Sequence, residues 1–132
     1  MRKIFYSISL LLFIGTCSNN LRAQSDWEAP KEADELVNPL NDFAKSAKNG
    51  KKIYTQMCTI CHGTKGKGDG VAGISLKPEP GNFTTDNVQN QTDGAIYWKL
   101  TNGRAPMAAY KEILTETQRW ELVNYIRTFK KN

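Results

Sequence analysis

Apolar and polar positions are distributed unevenly along the chain. Ile4 to Ile14 form an almost unbroken apolar run directly behind Arg2 and Lys3, ended by Gly15, Thr16 and a polar stretch. From Ser46 to about Cys61, Ile53, Tyr54 and Met57 recur at helical spacing and predict a helix, with Gly50 offering a place for close approach. Gly63, Gly66, Gly68, Gly70 and Gly73 are too dense for a helix or a strand. The stretch up to Asn82, with Pro78 and Pro80, therefore reads as an extended connection. Thr92 or Asp93 caps a short helix through Leu100, stopped at Asn102-Gly103. Thr115-Glu116-Thr117-Gln118 is a capping box, and Leu122, Val123, Ile126 and Phe129 give the helix behind it an apolar face, with Lys130 and Lys131 suiting the dipole at its end. No alternating strand pattern competes, and the predicted fold is all-α.

The first apolar run spans 11 residues, whereas a bilayer-spanning helix needs about 20. It reads as the core of an export signal over residues 1–23, and a buried N-terminal helix is disfavoured because the run has no polar face. Two processing routes stay open: cleavage after Ala23, and lipidation of Cys17 in the lipobox-like Ile14-Gly15-Thr16-Cys17. Either route predicts an exported protein of the bacterial periplasm, with membrane contact only through a lipid on Cys17. Removing residues 1–23 takes away Arg2, Lys3 and Arg22, so the net charge falls from +5 to +2. The remaining charge is split between an acidic leader, residues 24–45 with net −4, and a basic domain, residues 46–132 with net +6. Nucleic acid is set aside as a partner, because no basic stripe interleaves with aromatics and export separates the protein from it.

Cys58 and Cys61 are the cysteines left after the signal, and His62 is the single histidine of the chain. Cys58-Thr59-Ile60-Cys61-His62 is the attachment pattern of c-type haem: two thiols on one helical turn reach the two vinyl groups of one porphyrin, and the adjacent imidazole lies beneath the iron. A zinc site normally needs four protein ligands, and three are present here. A thioredoxin-like pair needs a strand leading into the motif, where the pattern is helical. A disulfide across two residues would be strained and close almost no loop. With one histidine, a second axial ligand from this chain must be another residue type. Met57 precedes the first attachment cysteine and is tethered on the proximal side, so Met107, in the irregular Gly103-Arg104-Ala105-Pro106-Met107, is the candidate distal ligand. Roughly 87 residues is a marginal length for a self-sufficient core, and a haem would supply the missing apolar mass, so the haem-free chain is expected to be largely unfolded.

These residues resemble the class I cytochrome c family, in particular the small bacterial mono-haem domains also found in cbb3-type oxidase subunits. The resemblance covers residues 46–132. It rests on Gly50 and Tyr54, Cys58-x-x-Cys61-His62-Gly63, the Gly66-Lys67-Gly68-Asp69-Gly70 loop, Thr101-Asn102-Gly103-Arg104, Met107 and the closing Trp120 to Tyr125 helix. It implies helices and Gly/Pro-rich loops wrapped around one covalent haem c, with Cys58 and Cys61 as attachment sites and His62 and Met107 as iron ligands. It further implies crossing first and last helices, with Gly50 and Tyr54 against Trp120 to Tyr125. Where the family usually has Pro, this chain has Val71, whose carbonyl is expected to hold the proximal imidazole N–H. Pro also commonly follows the ligand methionine, whereas here Pro106 precedes it and Ala108 follows. The expected function is single-electron transfer between redox proteins rather than enzymatic turnover, with Lys65, Lys67, Lys77 and Lys99 as a basic rim for acidic partners. Residues 24–45 read as a docking segment or a solvated leader. A peroxidase-like enzyme with an open distal site and a haem-free thiol–disulfide oxidoreductase are the alternative functions.

Overall fold

The computed structural model describes residues 27–131, and the predicted export signal with its Cys17 lies outside the described residues. A 3-10 turn, Lys31–Glu35, precedes five helices: α1 (Phe43–Met57), α2 (Thr59–His62), α3 (Asp86–Gln89), α4 (Asp93–Asn102) and α5 (Glu116–Arg127). The described residues contain no strand, only an isolated bridge between Arg104 and Met107. Nor is any helix among them long and apolar enough to cross a membrane.

The helix boundaries follow local chemistry. The predicted first helix starts three residues earlier than its apolar spacing indicates, because Asp42 caps it: its carboxylate accepts from Lys45 N at 2.9 Å. It also breaks at Cys58 into α1 and the single turn α2. Thr92 caps α4 through Ala95 N at 3.0 Å. At α5 the predicted capping box is formed, with Gln118 N donating to Thr115 Oγ1 at 3.2 Å and Thr115 N donating to Gln118 Oε1 at 2.9 Å. Lys130 and Lys131 do not end that helix: it stops at Arg127, the basic residue of its last turn.

The first and last long helices cross at Gly50, where a Cβ would run into the Glu121 carbonyl and lie 3.0 Å from Tyr125 Cβ. Only glycine permits that approach. Tyr54, one turn further along α1, packs its ring 5.1 Å from that of Tyr125 and 5.4 Å from that of Phe129. Around this crossing Tyr54, Ile96, Leu100, Leu114, Trp120, Leu122, Val123 and Ile126 form the buried core.

The residues before α1 pack onto this core. Ala33 is buried, and its carbonyl occupies the space that a Cβ on Gly94 of α4 would need. Thr92 Oγ1 donates to Asp34 at 2.6 Å, and Asn38 Nδ2 donates to the buried Asn124 of α5 at 2.7 Å. Asn124 in turn donates to Ser46 Oγ of α1 at 2.6 Å.

Candidate haem site

The connection after α2 folds back over the helix end. The carbonyls of Ile60, Cys61 and His62, which a one-turn helix leaves without helical partners, accept from Ala72 N at 2.9 Å, Gly70 N at 3.1 Å and Gly68 N at 2.9 Å. Phe83 N then donates to Gly66 O at 2.6 Å, closing the loop. The Tyr54 hydroxyl donates to Gly63 O at 2.7 Å and so fixes α1 to the residue behind His62. Burial raises the pKa of that phenol further, which keeps it a donor.

This loop sets the histidine. His62 Nδ1 lies 3.1 Å from Gly81 O, and its ring stacks on Phe83 at 4.4 Å between centroids. A proton on Nδ1 donates to that carbonyl and leaves the Nε2 lone pair free. Burial lowers the imidazole pKa, against the opposing effect of the Gly81 carbonyl, and so favours the neutral ring that a metal requires. The expected acceptor was the Val71 carbonyl. Instead the Ile60 to His62 carbonyls hold the glycine-rich segment, Val71 is 81% exposed, and Gly81, ten residues on, arrives at the ring.

Cys58 is buried, Cys61 is half-buried, and both are free thiols. Burial pushes the Cys58 thiol up to about 11, partly offset by a hydrogen bond with the Tyr110 side chain. The Tyr110 hydroxyl is itself pushed up to about 12 by burial and by the neighbouring Cys58 and Cys61. Met107 sits in a tight reversal in which Arg104 N donates to Met107 O at 3.1 Å and Met107 N to Arg104 O at 2.8 Å. Tyr110 N then donates to Leu100 O at 3.0 Å, fixing this reversal against the end of α4.

Cys58, Cys61, His62 and Met107 border one cavity of about 330 Å³, within the range of small-molecule and cofactor sites. Met57 borders it as well, and Leu100, Leu122 and Ile126 supply apolar wall. The site accords with haem in its chemistry: two thiols outside any disulfide, a half-buried imidazole with one ring nitrogen already engaged, and a thioether open to the same apolar space. Sequence reasoning missed Gly81 and Tyr110. A backbone carbonyl carries no side-chain signal, and a lone tyrosine has no motif. Lys99, expected on an exposed rim, instead borders the cavity half-buried, because its position on α4 turns it inward beside Gln91. Lys77 is exposed and paired with Glu79 at 3.2 Å.

An all-α fold around such a cavity is an architecture of the cytochrome c type. Residues 45–126 match the family described as cytochrome c oxidase, cbb3-type, subunit III, and the chain belongs to that family. Solved structures similar to it include the following two. One is the Kuenenia stuttgartiensis reducing HAO-like protein complex Kustc0457/Kustc0458, at 26% identity and TM-score 0.60 over 73% of this chain. The chain spans 50% of the length of that protein. The other is the KustC0563 c-type cytochrome, at 30% identity and TM-score 0.53 over 62% of this chain and 98% of that one. No curated protein matches the sequence at a significant level.

Proposed function

We propose that this chain is an exported mono-haem c-type cytochrome that passes single electrons between redox proteins of the bacterial periplasm. Cys58 and Cys61 supply the thiols for two thioether bonds, His62 Nε2 is the proximal iron ligand and Met107 Sδ the distal one. The observation that carries the reading is the convergence of these four side chains on one cavity, with His62 Nδ1 committed to Gly81 O. The bound haem supplies one-electron chemistry between its ferrous and ferric states.

The remaining roles belong to the polypeptide. Gly81 O orients the imidazole and strengthens it as a donor. Phe83 fixes the ring plane by stacking, and the apolar wall keeps water from the iron position. Met107 offers a soft thioether that favours the ferrous state, so the potential is higher than with two histidines. If His62 and Met107 both held the iron of a bound haem, no position would be left for a substrate, which favours a carrier over a peroxidase-like enzyme. A thiol–disulfide role is disfavoured because helix α1, and not a strand, leads into Cys58. Partners are redox proteins, and the exposed Lys65 and Lys67 favour acidic ones.

The test is expression of the full chain with a cytochrome c maturation system, followed by in-gel haem staining. Wild type is expected to stain after denaturation and the Cys58→Ala/Cys61→Ala double variant to lose the stain. An unstained wild type in a competent host would overturn the reading and put the thiol function in front.

A further inference from the structure

Two cations border the cofactor cavity without a counter-ion. Lys99 and Arg104 line the same space as Cys58, Cys61 and His62, yet the ion pairs among the described residues are Lys77 with Glu79 and Arg127 with Asp93. Lys99 Nζ donates to Gln91 Oε1 at 2.5 Å and lies 5.6 Å from the centroid of the Trp27 ring. The Arg104 guanidinium lies 5.0 Å from the centroid of the same ring. An indole face attracts a cation, but two cations gathered on one indole repel each other beside an apolar wall. Burial pulls the Lys99 pKa below the ordinary lysine range, Arg104 adds to that effect, and Glu28 opposes it without forming an ion pair. Half-buried charge of one sign calls for an anion within the cavity.

We infer that Trp27, Lys99 and Arg104 form a carboxylate-binding wall that holds the two haem propionates. This rests on the haem reading above. The propionates are the ionised groups of the porphyrin periphery, so two carboxylates meet two cations. Gln91 holds Lys99 in place, and the indole covers the charged groups against water. Trp27 lies outside the residues 45–126 that match the family, so part of this wall comes from the segment preceding the shared domain. That segment is anchored for the purpose. Ala33 fits against Gly94, and Asp34 accepts from Thr92, at the start of the helix whose last turn carries Lys99. The positive charge of the wall offsets the propionate field at the iron and so supports the ferrous state.

The test uses the full matured chain and its Lys99→Gln, Arg104→Gln, doubly substituted, Arg104→Lys and Trp27→Ala variants. The midpoint potential and the propionate bending bands of the resonance Raman spectrum are read on each. The midpoint is expected to fall in each Gln variant and furthest in the double, with the propionate bands shifting in step. Arg104→Lys should restore most of the potential, and Trp27→Ala should shift the bands. Covalent haem with unmoved propionate bands in the double variant would overturn the inference while leaving the haem reading in place, whether or not the potential moves. That pattern, joined to weaker binding of an acidic redox protein, would give the cations to a partner's carboxylates instead. A wild type that takes up no haem would remove both.

Discussion

The crossing of α1 and α5 and the pair of loops that border the cavity are held by different forces. At the crossing, Gly50 lets the backbones approach, Tyr54 packs among Tyr125 and Phe129, and Leu122 and Val123 are fully buried. That half carries its own apolar core. The loops over residues 63–83 and 103–110 are held chiefly by hydrogen bonds to helix ends, and Leu76, Pro78, Phe83, Met107 and Tyr110 from them line the cavity. Such loops complete their packing only when a cofactor fills the space, because an apolar wall without partner atoms loses its dispersion contacts. The crossing supplies a frame, and the loops that set His62 and Met107 depend on what those residues hold.

Blocking haem attachment tests this division with the largest effect. The Cys58→Ala/Cys61→Ala variant is expected to lose most of its helical circular dichroism, with any residual hydrogen-exchange protection confined to α1 and α5. Full native ellipticity in the haem-free chain would break the comparison. Smaller in effect is Gly50→Val, which forces side-chain atoms against the Glu121 backbone and is expected to cost about 3 kcal/mol in denaturant unfolding of the haem-loaded protein. Its visible spectrum before the transition should match wild type, because the crossing does not touch the ligands. Tyr54→Phe sharpens the link between the two halves. It leaves Gly63 O without its 2.7 Å donor and is expected to cost about 1.5 kcal/mol, measured the same way. A cost near zero would mean that water replaces the hydroxyl there.

Legibility in the sequence follows the same division. The Thr115 to Gln118 capping box, the Thr92 cap and the Gly50 approach are local or periodic signals, and each has its structural counterpart. What could not be read depends on contacts between distant segments. Gly81 reaches His62 because three helix-end carbonyls hold the glycine-rich segment elsewhere, and nothing near Val71 or Gly81 announces that exchange. The turn Asp86–Gln89 is too short to leave a period, although it buries Gln89, whose amide donates to Phe83 O at 2.6 Å and Ile126 O at 3.0 Å. The acidic leader, which reads as either a docking segment or a solvated one, gives no sign in its sequence that it packs on its own domain. Its anchors are a small buried Ala33 and single polar contacts from Asp34 and Asn38, residue types equally common in solvated chain. Lys99 was misplaced on the rim for a related reason, since charge counts do not say which face of a short helix a lysine occupies.

The central claim is that the cavity joining His62 to Met107 is a two-ligand iron site. The most direct measurement is the absorption spectrum of matured wild type beside Met107→Ala and Met57→Ala, with carbon monoxide added to each reduced protein. The account predicts a low-spin six-coordinate spectrum in wild type and Met57→Ala that carbon monoxide leaves unchanged, and a five-coordinate, carbon-monoxide-binding spectrum in Met107→Ala alone. Ready carbon monoxide binding by wild type, or a Met107→Ala spectrum identical to it, would contradict the claim.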